Sequence, residues 1–385
     1  MGFPRVLAVL VAVTALWAGC GHTPRRPQSA PTTSAAAKPI PSARPACGEP
    51  AAILAAMSTR DKLAQLLMVG VRNGDDAKNV VANHHVGGIF IGSWTDLSML
   101  GPQLVKDLSA TTALPVAVSV DEEGGRVARL SSLIGPAPSA RVLAQTHTAD
   151  EVYGMALDRG HRMRGLGITV DFAPVVDVTD AADDTVIGDR SFGSDPAKVT
   201  TYAGAYARGL RDAGLLPVLK HFPGHGHGSG DSHTGGVVTP PLDQLQNDDL
   251  VPYRTLLTAA PLGVMVGHLQ VPGLTGDEPA SLSRPALQLL RDGTGYHAPP
   301  FDGPVFSDDL SSMAAINERY SVPDAVLRTL QAGTDVALWV TTDEVPAVLD
   351  RLEKALAAGE LAMPTVDASV LRIAKFKGPK PDCGP

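Results

Sequence analysis

The sequence is short of aromatic residues and of positive charge, and each shortage excludes a class of partner. Phe, Tyr and Trp make up 4% of the 385 residues, and Trp17, Trp94 and Trp339 are too scattered to form a stacking platform. The formal net charge of −8 argues against nucleic acid as a partner, because such partners need a basic surface. After residue 20, no apolar run is long enough to span a membrane.

Glycine, proline and aliphatic residues are abundant instead. With 39 Gly, 32 Pro and a hydrophobic content of 44%, the composition is that of a loop-rich α/β protein. Short apolar runs alternate with longer helical patterns, and these runs cover residues 66–71, 88–91, 116–120, 168–174, 217–219, 263–266, 305–307 and 336–340. Eight βα units predict a single (β/α)8 barrel of the TIM type over residues 47–385, and a doubly wound open sheet is the competing fold.

The chain begins with the pattern of an export signal. Arg5 precedes an apolar run over residues 6–17, and two small residues stand before Cys20. This ending resembles a bacterial lipobox, which implies that residues 1–20 are a lipoprotein signal peptide and that Cys20 is lipidated. An ordinary cleaved signal and an uncleaved anchor are the alternatives. We therefore expect an exported cell-membrane lipoprotein that faces the cell wall or the periplasm.

A linker is expected to separate this signal from the barrel. Residues 21–46 are rich in Pro, Ser, Thr and Ala and have no apolar period, so they predict a disordered tether. Cys47 and Cys383 stand at opposite ends of the predicted barrel. Because an exported protein meets an oxidising environment, we expect a disulfide between them; two unpaired thiols are the alternative.

The stretch from Lys220 to His233, KHFPGHGHGSGDSH, is too polar and too rich in glycine to belong to a core. It comes after the fifth apolar run, so we expect a strand end that leads into a mobile catalytic loop. Other runs are also followed by polar residues, namely Asp121, Asp177, His268, Asp308 and Asp309. Since the carboxyl ends of barrel strands open onto one face, these side chains predict a single polar substrate site.

Four motifs stand in order along the chain. They are DEEGGRVAR at residues 121–129, VIGDRSF at residues 186–192, KHFPGHG with DSH within residues 220–233, and FSDDL at residues 306–310. Together they resemble glycoside hydrolase family 3, in particular its single-domain β-N-acetylglucosaminidases of the actinobacterial lipoprotein type. The motifs span nearly all of the predicted barrel, so the resemblance is specific.

The resemblance implies a role for each matching residue. Asp308 is expected to be the nucleophile, His233 the acid/base catalyst and Asp231 its partner in a dyad, in a double displacement with net retention. Sugar binding carries over to Asp121, Arg129, Arg190, Lys220 and His221. These residue types suit the task, because sugar hydroxyls are recognised by charged and bidentate hydrogen bonds.

Some residues of the predicted site have a second interpretation. His268 is expected to line the pocket, but it could equally be a core histidine bonded to the backbone. Asp309 is interpreted as a capping acid rather than a catalytic one. A zinc cluster of His221, His225, His227 and His233 is disfavoured, because glycine-rich flanks would hold metal ligands poorly and no cysteine belongs to the loop.

We therefore predict a retaining exo-β-N-acetylglucosaminidase that releases terminal N-acetylglucosamine from peptidoglycan fragments of the GlcNAc–MurNAc type. No metal or organic cofactor is expected, and the protein is expected to be a monomer. The alternatives in the same class are a β-glucosidase, a broad β-glycosidase or a phosphorylase. A non-catalytic sugar-binding lipoprotein is the alternative from another class, but it would not need Asp231, His233 and Asp308 together.

Overall fold

The computed structural model of the protein describes residues 47–259 and 261–379, together with positions 2 and 383. Position 2 apart, the predicted signal peptide at residues 1–20, the lipidation site Cys20 and the tether at residues 21–46 lie outside the described residues. Within the described part of the chain, no helix has both the length and the apolar character needed to cross a membrane.

Eight parallel strands form one sheet that curls into a barrel. In chain order they are β1 (Leu67–Gly70), β2 (Gly88–Ile91), β3 (Ala117–Val120), β4 (Val170–Asp171), β5 (Leu216–Phe222), β6 (Gly263–Val266), β7 (Val305–Ser307) and β8 (Ala337–Trp339). The sheet runs from β7 back through β1 to β8. A parallel bridge between Phe306 of β7 and Val336, next to β8, joins its two ends. The predicted single barrel is confirmed.

The strands are buried along their whole length, which explains why the sequence shows apolar runs rather than alternation. Seven of the eight predicted runs contain a whole strand, and the fifth run lies inside one. The fifth strand is longer than predicted, and the expectation that Lys220 and His221 follow it was wrong. Both lie inside β5, because the ladder continues past them: Val176 N–H donates to the Lys220 carbonyl at 2.8 Å, and Gly267 N–H donates to the Phe222 carbonyl at 3.0 Å.

Helices surround the barrel and fill the connections between strands. Their bounds are Pro50–Ala55, Thr59–Gln65, Gly74–His84, Leu104–Leu108, Ser131–Ile134, Ala140–Thr146, Ala149–Gly165, Pro196–Asp212, Leu242–Leu245, Val251–Leu256, Arg284–Asp292, Ala314–Asn317, Val322–Ala332, Val345–Ala357 and Met363–Lys377, with short 3-10 turns at Leu97–Met99, Ser109–Thr111, Gly188–Arg190 and Ala280–Leu282. The helix that starts at Pro196 is capped by Asp195, whose carboxylate accepts a hydrogen bond from Ala197 N–H.

The amino ends of the strands form the barrel floor, where the last helix packs. Its final residue, Lys377, reaches residues just before β1 and β2, and its Nζ donates to Gln65 Oε1 at 3.0 Å and to the Gly87 carbonyl at 2.5 Å. Burial lowers the pKa of the Lys377 ammonium to about 7. Beyond this helix, Cys383 forms a disulfide with Cys47, with the two Cα atoms 5.4 Å apart.

Candidate active site

The carboxyl ends of the strands surround a cavity of about 230 Å³. Seven of the residues predicted for the site line it, namely Asp121, Arg129, Arg190, Lys220, His221, His233 and Asp308. They come from the ends of β3, β5 and β7 and from the connections that follow β3, β4 and β5. The barrel thus brings together residues that are up to 187 positions apart in the chain (308 − 121).

Lys220 lies at the base of this cavity and is only 2% exposed. Its Nζ is 2.5 Å from Asp121 Oδ1 and 2.6 Å from Glu123 Oε1. Burial alone would lower the pKa of the Lys220 ammonium, but Asp121 and Glu123 raise it above its usual value. The ammonium is therefore charged at neutral pH and provides fixed hydrogen-bond donors at the base of the cavity.

Arg190 extends this charged cluster on the other side of Glu123. Its Nε and Nη2 donate to the two Glu123 carboxylate oxygens, each at 2.8 Å, which is a bidentate pair. Burial would raise the pKa of the Glu123 carboxyl, but Arg190 and Lys220 lower it far below its usual value. Each buried charge in the cluster is thus compensated, as burial of charged groups requires.

Asp308 directly follows β7 and stands in the same cavity, 8% exposed. Its amide donates to the Val266 carbonyl at 3.1 Å, which fixes the backbone, and its Oδ1 accepts from Asp309 N–H at 2.9 Å. Burial raises the pKa of the Asp308 carboxyl, but the nearby His268 and His221 outweigh burial and hold the pKa below its usual value. Asp308 is therefore ionised at neutral pH, and its carboxylate lines the cavity.

His233 and Asp231 form a dyad in the connection after β5. His233 Nδ1 is 2.7 Å from Asp231 Oδ1, and the His233 backbone N–H donates to the same oxygen at 3.0 Å. Burial of Asp231 is outweighed by these two hydrogen bonds, so the pKa of its carboxyl is lowered. A carboxylate that holds Nδ1–H leaves Nε2 to exchange protons. The His233 side chain is 55% exposed, which places the dyad at the rim of the cavity.

The loop that carries the dyad packs against the chain that follows Asp308. Ala315 N–H donates to the Ser232 carbonyl at 3.2 Å, and Ser232 Oγ is 3.8 Å from Met313 Sδ. Ser232 itself is 3% exposed. The segments that carry His233 and Asp308 are therefore joined by direct contacts.

His221 is oriented by a carboxylate that lies behind it. Its Nδ1 is 2.7 Å from Asp177 Oδ2, and the same carboxylate accepts from the His221 and His225 backbone amides at 3.2 and 2.7 Å. These partners hold the pKa of the Asp177 carboxyl below its usual value although burial opposes ionisation. Because Nδ1 is engaged by Asp177, the Nε2 side of the imidazole is available to the cavity.

His268 is not among the residues that line the cavity, contrary to the expectation from the sequence. Its Nδ1 is 2.7 Å from Ser281 Oγ and its Nε2 is 2.7 Å from the Asp309 carbonyl, so both nitrogens are engaged. With 1% exposure it is a core histidine bonded to the backbone, the other interpretation that its sequence context allowed.

Asp309 caps a turn and not the helix that follows β7, because that helix begins at Ala314 and has no side-chain cap. Its carboxylate accepts from the backbone amides of Ser311 and Ser312 at 2.9 and 3.1 Å and from both serine hydroxyls.

His227, proposed above only as part of a disfavoured zinc cluster, instead lies between two carboxylates. Its Nδ1 is 3.0 Å from Asp249 Oδ2 and its Nε2 is 3.9 Å from Asp248 Oδ2.

Two residues of the site were missed in the sequence. Glu123 is not among the predicted site residues. The period of two in an extended segment nevertheless points Asp121 and Glu123 to the same side, while Glu122 pairs with Arg159 on the other. That period was the available signal. His225 also lines the cavity, 4% exposed, and within the described residues neither of its ring nitrogens has a hydrogen-bond partner. Nothing in the sequence separates it from His227.

Comparison with known proteins agrees with this geometry. The chain is 69% identical over 388 residues to a protein named beta-hexosaminidase LpqI from Mycobacterium tuberculosis, and the match covers 100% of both chains. The solved structure of M. tuberculosis LpqI superposes with a TM-score of 0.87, at 71% identity, over 89% of this chain and 100% of that one.

More distant structures have the same barrel. A family 3 beta-N-acetylglucosaminidase from Paenibacillus superposes with a TM-score of 0.76, at 32% identity, over 83% of this chain and 62% of that one. The family model described as the glycosyl hydrolase family 3 N terminal domain matches residues 58–376, which contain every cavity residue described above. The chain belongs to glycosyl hydrolase family 3 and is a glycoside hydrolase.

Proposed function

We propose that the protein is a retaining exo-β-N-acetylglucosaminidase that removes terminal N-acetylglucosamine from peptidoglycan fragments of the GlcNAc–MurNAc type. The observation that carries this proposal is the presence in one cavity of an ionised carboxylate, Asp308, and an imidazole, His233, held by Asp231. The names of the relatives support hexosaminidase activity, since they include a beta-hexosaminidase and beta-N-acetylglucosaminidases.

In the first step, Asp308 attacks the anomeric carbon and His233 donates a proton to the glycosidic oxygen. The bond from the anomeric carbon to the leaving oxygen breaks, and an ester between the sugar and Asp308 forms. Asp231 supports this step because its carboxylate stabilises the imidazolium that donates the proton.

In the second step, the same imidazole acts in reverse. Neutral His233 takes a proton from water, which attacks the anomeric carbon, and Asp308 leaves as a carboxylate. Two inversions give net retention at the anomeric carbon. Because the second group is an imidazole, the separation between two carboxylates does not predict the outcome here.

The size and lining of the cavity support removal of one sugar at a time. A cavity of about 230 Å³ matches one ring rather than an extended polymer. Lys220, Asp121 and Arg190 provide the charged hydrogen-bonding groups that a sugar with several hydroxyls requires. N-acetylglucosamine at a chain end is therefore the substrate unit that we propose.

We also propose that the enzyme acts outside the cytoplasm, anchored by a lipid on Cys20. The export pattern in residues 1–20 supports this location, and so does the Cys47–Cys383 disulfide, because such bonds persist in oxidising compartments. Metabolic labelling with a radioactive fatty acid tests the anchor. Label in the wild-type protein and its loss in Cys20→Ala are expected; label in both variants would contradict lipidation at this position.

The activity is tested with aryl β-glycosides of N-acetylglucosamine, N-acetylgalactosamine, glucose and xylose, followed by a synthetic GlcNAc–MurNAc disaccharide. We expect the N-acetylglucosaminide to be the best aryl substrate, and proton NMR of the first product to show the β-anomer. A fluorosugar that slows the second step should label Asp308, as read by peptide mass spectrometry. Label on another side chain, or an α-anomer as first product, would contradict the mechanism.

A further inference from the structure

The connection after β4 brings Val186 and Arg190 to the cavity. Arg190 also forms the bidentate pair with Glu123 described above. From residue 179 to residue 187 this connection forms neither helix nor strand. Its backbone carbonyls therefore have no ladder of amide donors and need hydrogen bonds from elsewhere.

Arg126 supplies such donors from one side of the connection. It stands between the two strands of a hairpin, Glu122–Gly124 and Val127–Ala128. Its Nη2 donates to the three carbonyls of residues 185–187, and its Nε donates to Asp189 Oδ1 at 2.9 Å. One guanidinium thus binds four consecutive positions along the chain in front of Arg190.

The hairpin that carries Arg126 is anchored to the barrel. Glu122 is fully buried, its Oε2 accepts from Leu130 N–H at 2.7 Å, and its Oε1 accepts from Arg159. Gly125 N–H donates to the Ala137 carbonyl at 2.9 Å. These bonds fix the backbone on which the Arg126 side chain stands.

Arg141 holds the same connection from the other side. It belongs to the helix Ala140–Thr146. Its Nη1 donates to the Ala181 carbonyl at 2.8 Å, and its Nη2 donates to the Thr179 and Gly188 carbonyls at 3.1 and 2.8 Å. Residues 179–189 are therefore bound between two guanidinium groups, and we call them the bridged segment.

The contacts of Arg126 lead directly to Arg190. The Val186 carbonyl accepts from Arg126 Nη2 at 3.3 Å and from Arg190 Nη1 at 3.1 Å. The Ile187 carbonyl accepts from Arg126 Nη2 at 3.1 Å and from the Arg190 backbone N–H at 2.9 Å. Arg126 and Arg141 are not among the residues that line the cavity, so they can act on a bound sugar only through the bridged segment.

We propose that Arg126 is a positioning residue that fixes the Arg190 guanidinium for sugar binding, while Arg141 holds the far side of the bridged segment. A binding group contributes fully only when its surroundings fix its geometry before the ligand arrives. The inference rests on the proposed function, because it assumes that Arg190 binds the terminal sugar.

The kinetic test is a double-mutant cycle between Arg126 and Arg190, with an aryl N-acetylglucosaminide as substrate. Arg126→Ala should raise KM about 10-fold, the effect of losing one hydrogen bond to a charged group. It should leave kcat within about 2-fold, because the lost contact is made in the ground state as well as in the transition state. In an Arg190→Ala background, the same substitution should lower kcat/KM less than about 2-fold further. Equal losses in both backgrounds would overturn the inference.

The matched control is Arg254→Ala. Arg254 also donates to two backbone carbonyls, those of Gln246 and Tyr296, but it does not line the cavity. We expect wild-type KM and kcat for this variant. The Arg126 side chain is 40% exposed, so Arg126→Ala should fold, and urea denaturation checks its stability. A rise in KM of the same size in Arg254→Ala would show a general effect of lost packing and would overturn the inference.

Hydrogen exchange read by mass spectrometry separates this inference from the proposed function, because it needs no turnover. In Arg126→Ala, the backbone amides of the bridged segment should exchange faster than in the wild type, and in Arg254→Ala they should exchange at the wild-type rate. Unchanged exchange in Arg126→Ala would overturn the inference. An unchanged KM in Arg190→Ala would instead overturn the proposed sugar contact, and the exchange result would still decide whether Arg126 fixes the bridged segment.

Discussion

Two lysines, one at each end of the barrel, have opposite electrostatic surroundings. Lys220 in the mouth lies within 2.6 Å of two carboxylates, and the pKa of its ammonium is raised although burial lowers it. Lys377 in the floor donates only to an amide oxygen and a carbonyl, and burial lowers its pKa to about 7. One lysine is therefore held charged, while the other loses its proton near neutral pH.

This difference separates function from packing. A buried charge that is fully paired contributes little net stability, because desolvation offsets the attraction, so its presence in the mouth calls for a chemical use. The floor has no such use, and there a long side chain covers the amino ends of β1 and β2. We expect substitutions in the mouth to change activity and those in the floor to change only stability.

The largest difference in activity is expected between substitutions at the two ends of β7. Asp308 follows β7 in the mouth, whereas Asp302 precedes it and is 76% exposed in a pair with Arg372. Asp308→Asn should reduce kcat/KM for the aryl N-acetylglucosaminide by at least about 10³-fold, since it removes the nucleophile. Asp302→Asn should retain wild-type activity. Similar activities for the two variants would contradict the proposal that the reaction takes place in the barrel mouth.

His233→Ala should distinguish substrates by their leaving groups. Loss of general acid catalysis should slow cleavage of the natural disaccharide by about 100-fold or more, while an aryl glycoside with a good leaving group should lose less, because it needs little protonation. The measurement is kcat/KM for both substrates at the same pH. Equal losses on the two substrates would argue against proton donation by this residue.

The two lysines can be compared directly through stability. Lys220→Met leaves Glu123 paired with Arg190, but Asp121 loses its ammonium partner and the cluster keeps one uncompensated negative charge. The free energy of unfolding should therefore fall by about 3–5 kcal/mol. Lys377→Met breaks no ion pair and keeps most of the apolar contact, so a change below about 1.5 kcal/mol is expected. Urea denaturation at pH 7 measures both, and equal losses would contradict the contrast between mouth and floor.

The last comparison concerns how the stability contributed by Lys377 depends on pH. Its pKa is about 7 in the folded state, below the unfolded value of about 10.4, so the unfolded chain binds the proton more tightly. The stability contributed by Lys377 should therefore rise as pH increases from about 7 to about 9, by on the order of 2 kcal/mol. The difference in unfolding free energy between wild type and Lys377→Met, measured from pH 6 to 9.5, should show this slope; a constant difference would rule it out.

The barrel could be predicted because buried parallel strands leave an unmistakable pattern. Gly88–Ile91, Gly263–Val266 and Val305–Ser307 were predicted at their observed bounds, since each is a short, mostly apolar run with Gly or Pro close to its ends. The fifth strand was cut short because Lys220 and His221 look like loop residues. They remain in the strand since ladder partners exist on both sides, which a single sequence does not reveal.

The remaining errors come from contacts between distant segments. His268 has the sequence context of a pocket residue, but Ser281 and the Asp309 carbonyl, 13 and 41 positions away, decide its orientation. Glu123 likewise belongs to the site because it forms ion pairs with Arg190 and Lys220, which are distant from it in the chain. Local patterns fix which residues reach the barrel mouth, whereas three-dimensional partners decide which of them face the ligand.

A single carboxylate, that of Asp177, grips both the imidazole of His221 and the backbone amide at position 225. The cavity wall at His221 and the start of the loop that carries His233 are therefore held by the same carboxylate. Asp177→Asn would keep the size of the side chain but weaken its bonds to His221 and to the backbone at position 225. We therefore expect this variant to show weaker sugar binding and slower proton transfer together.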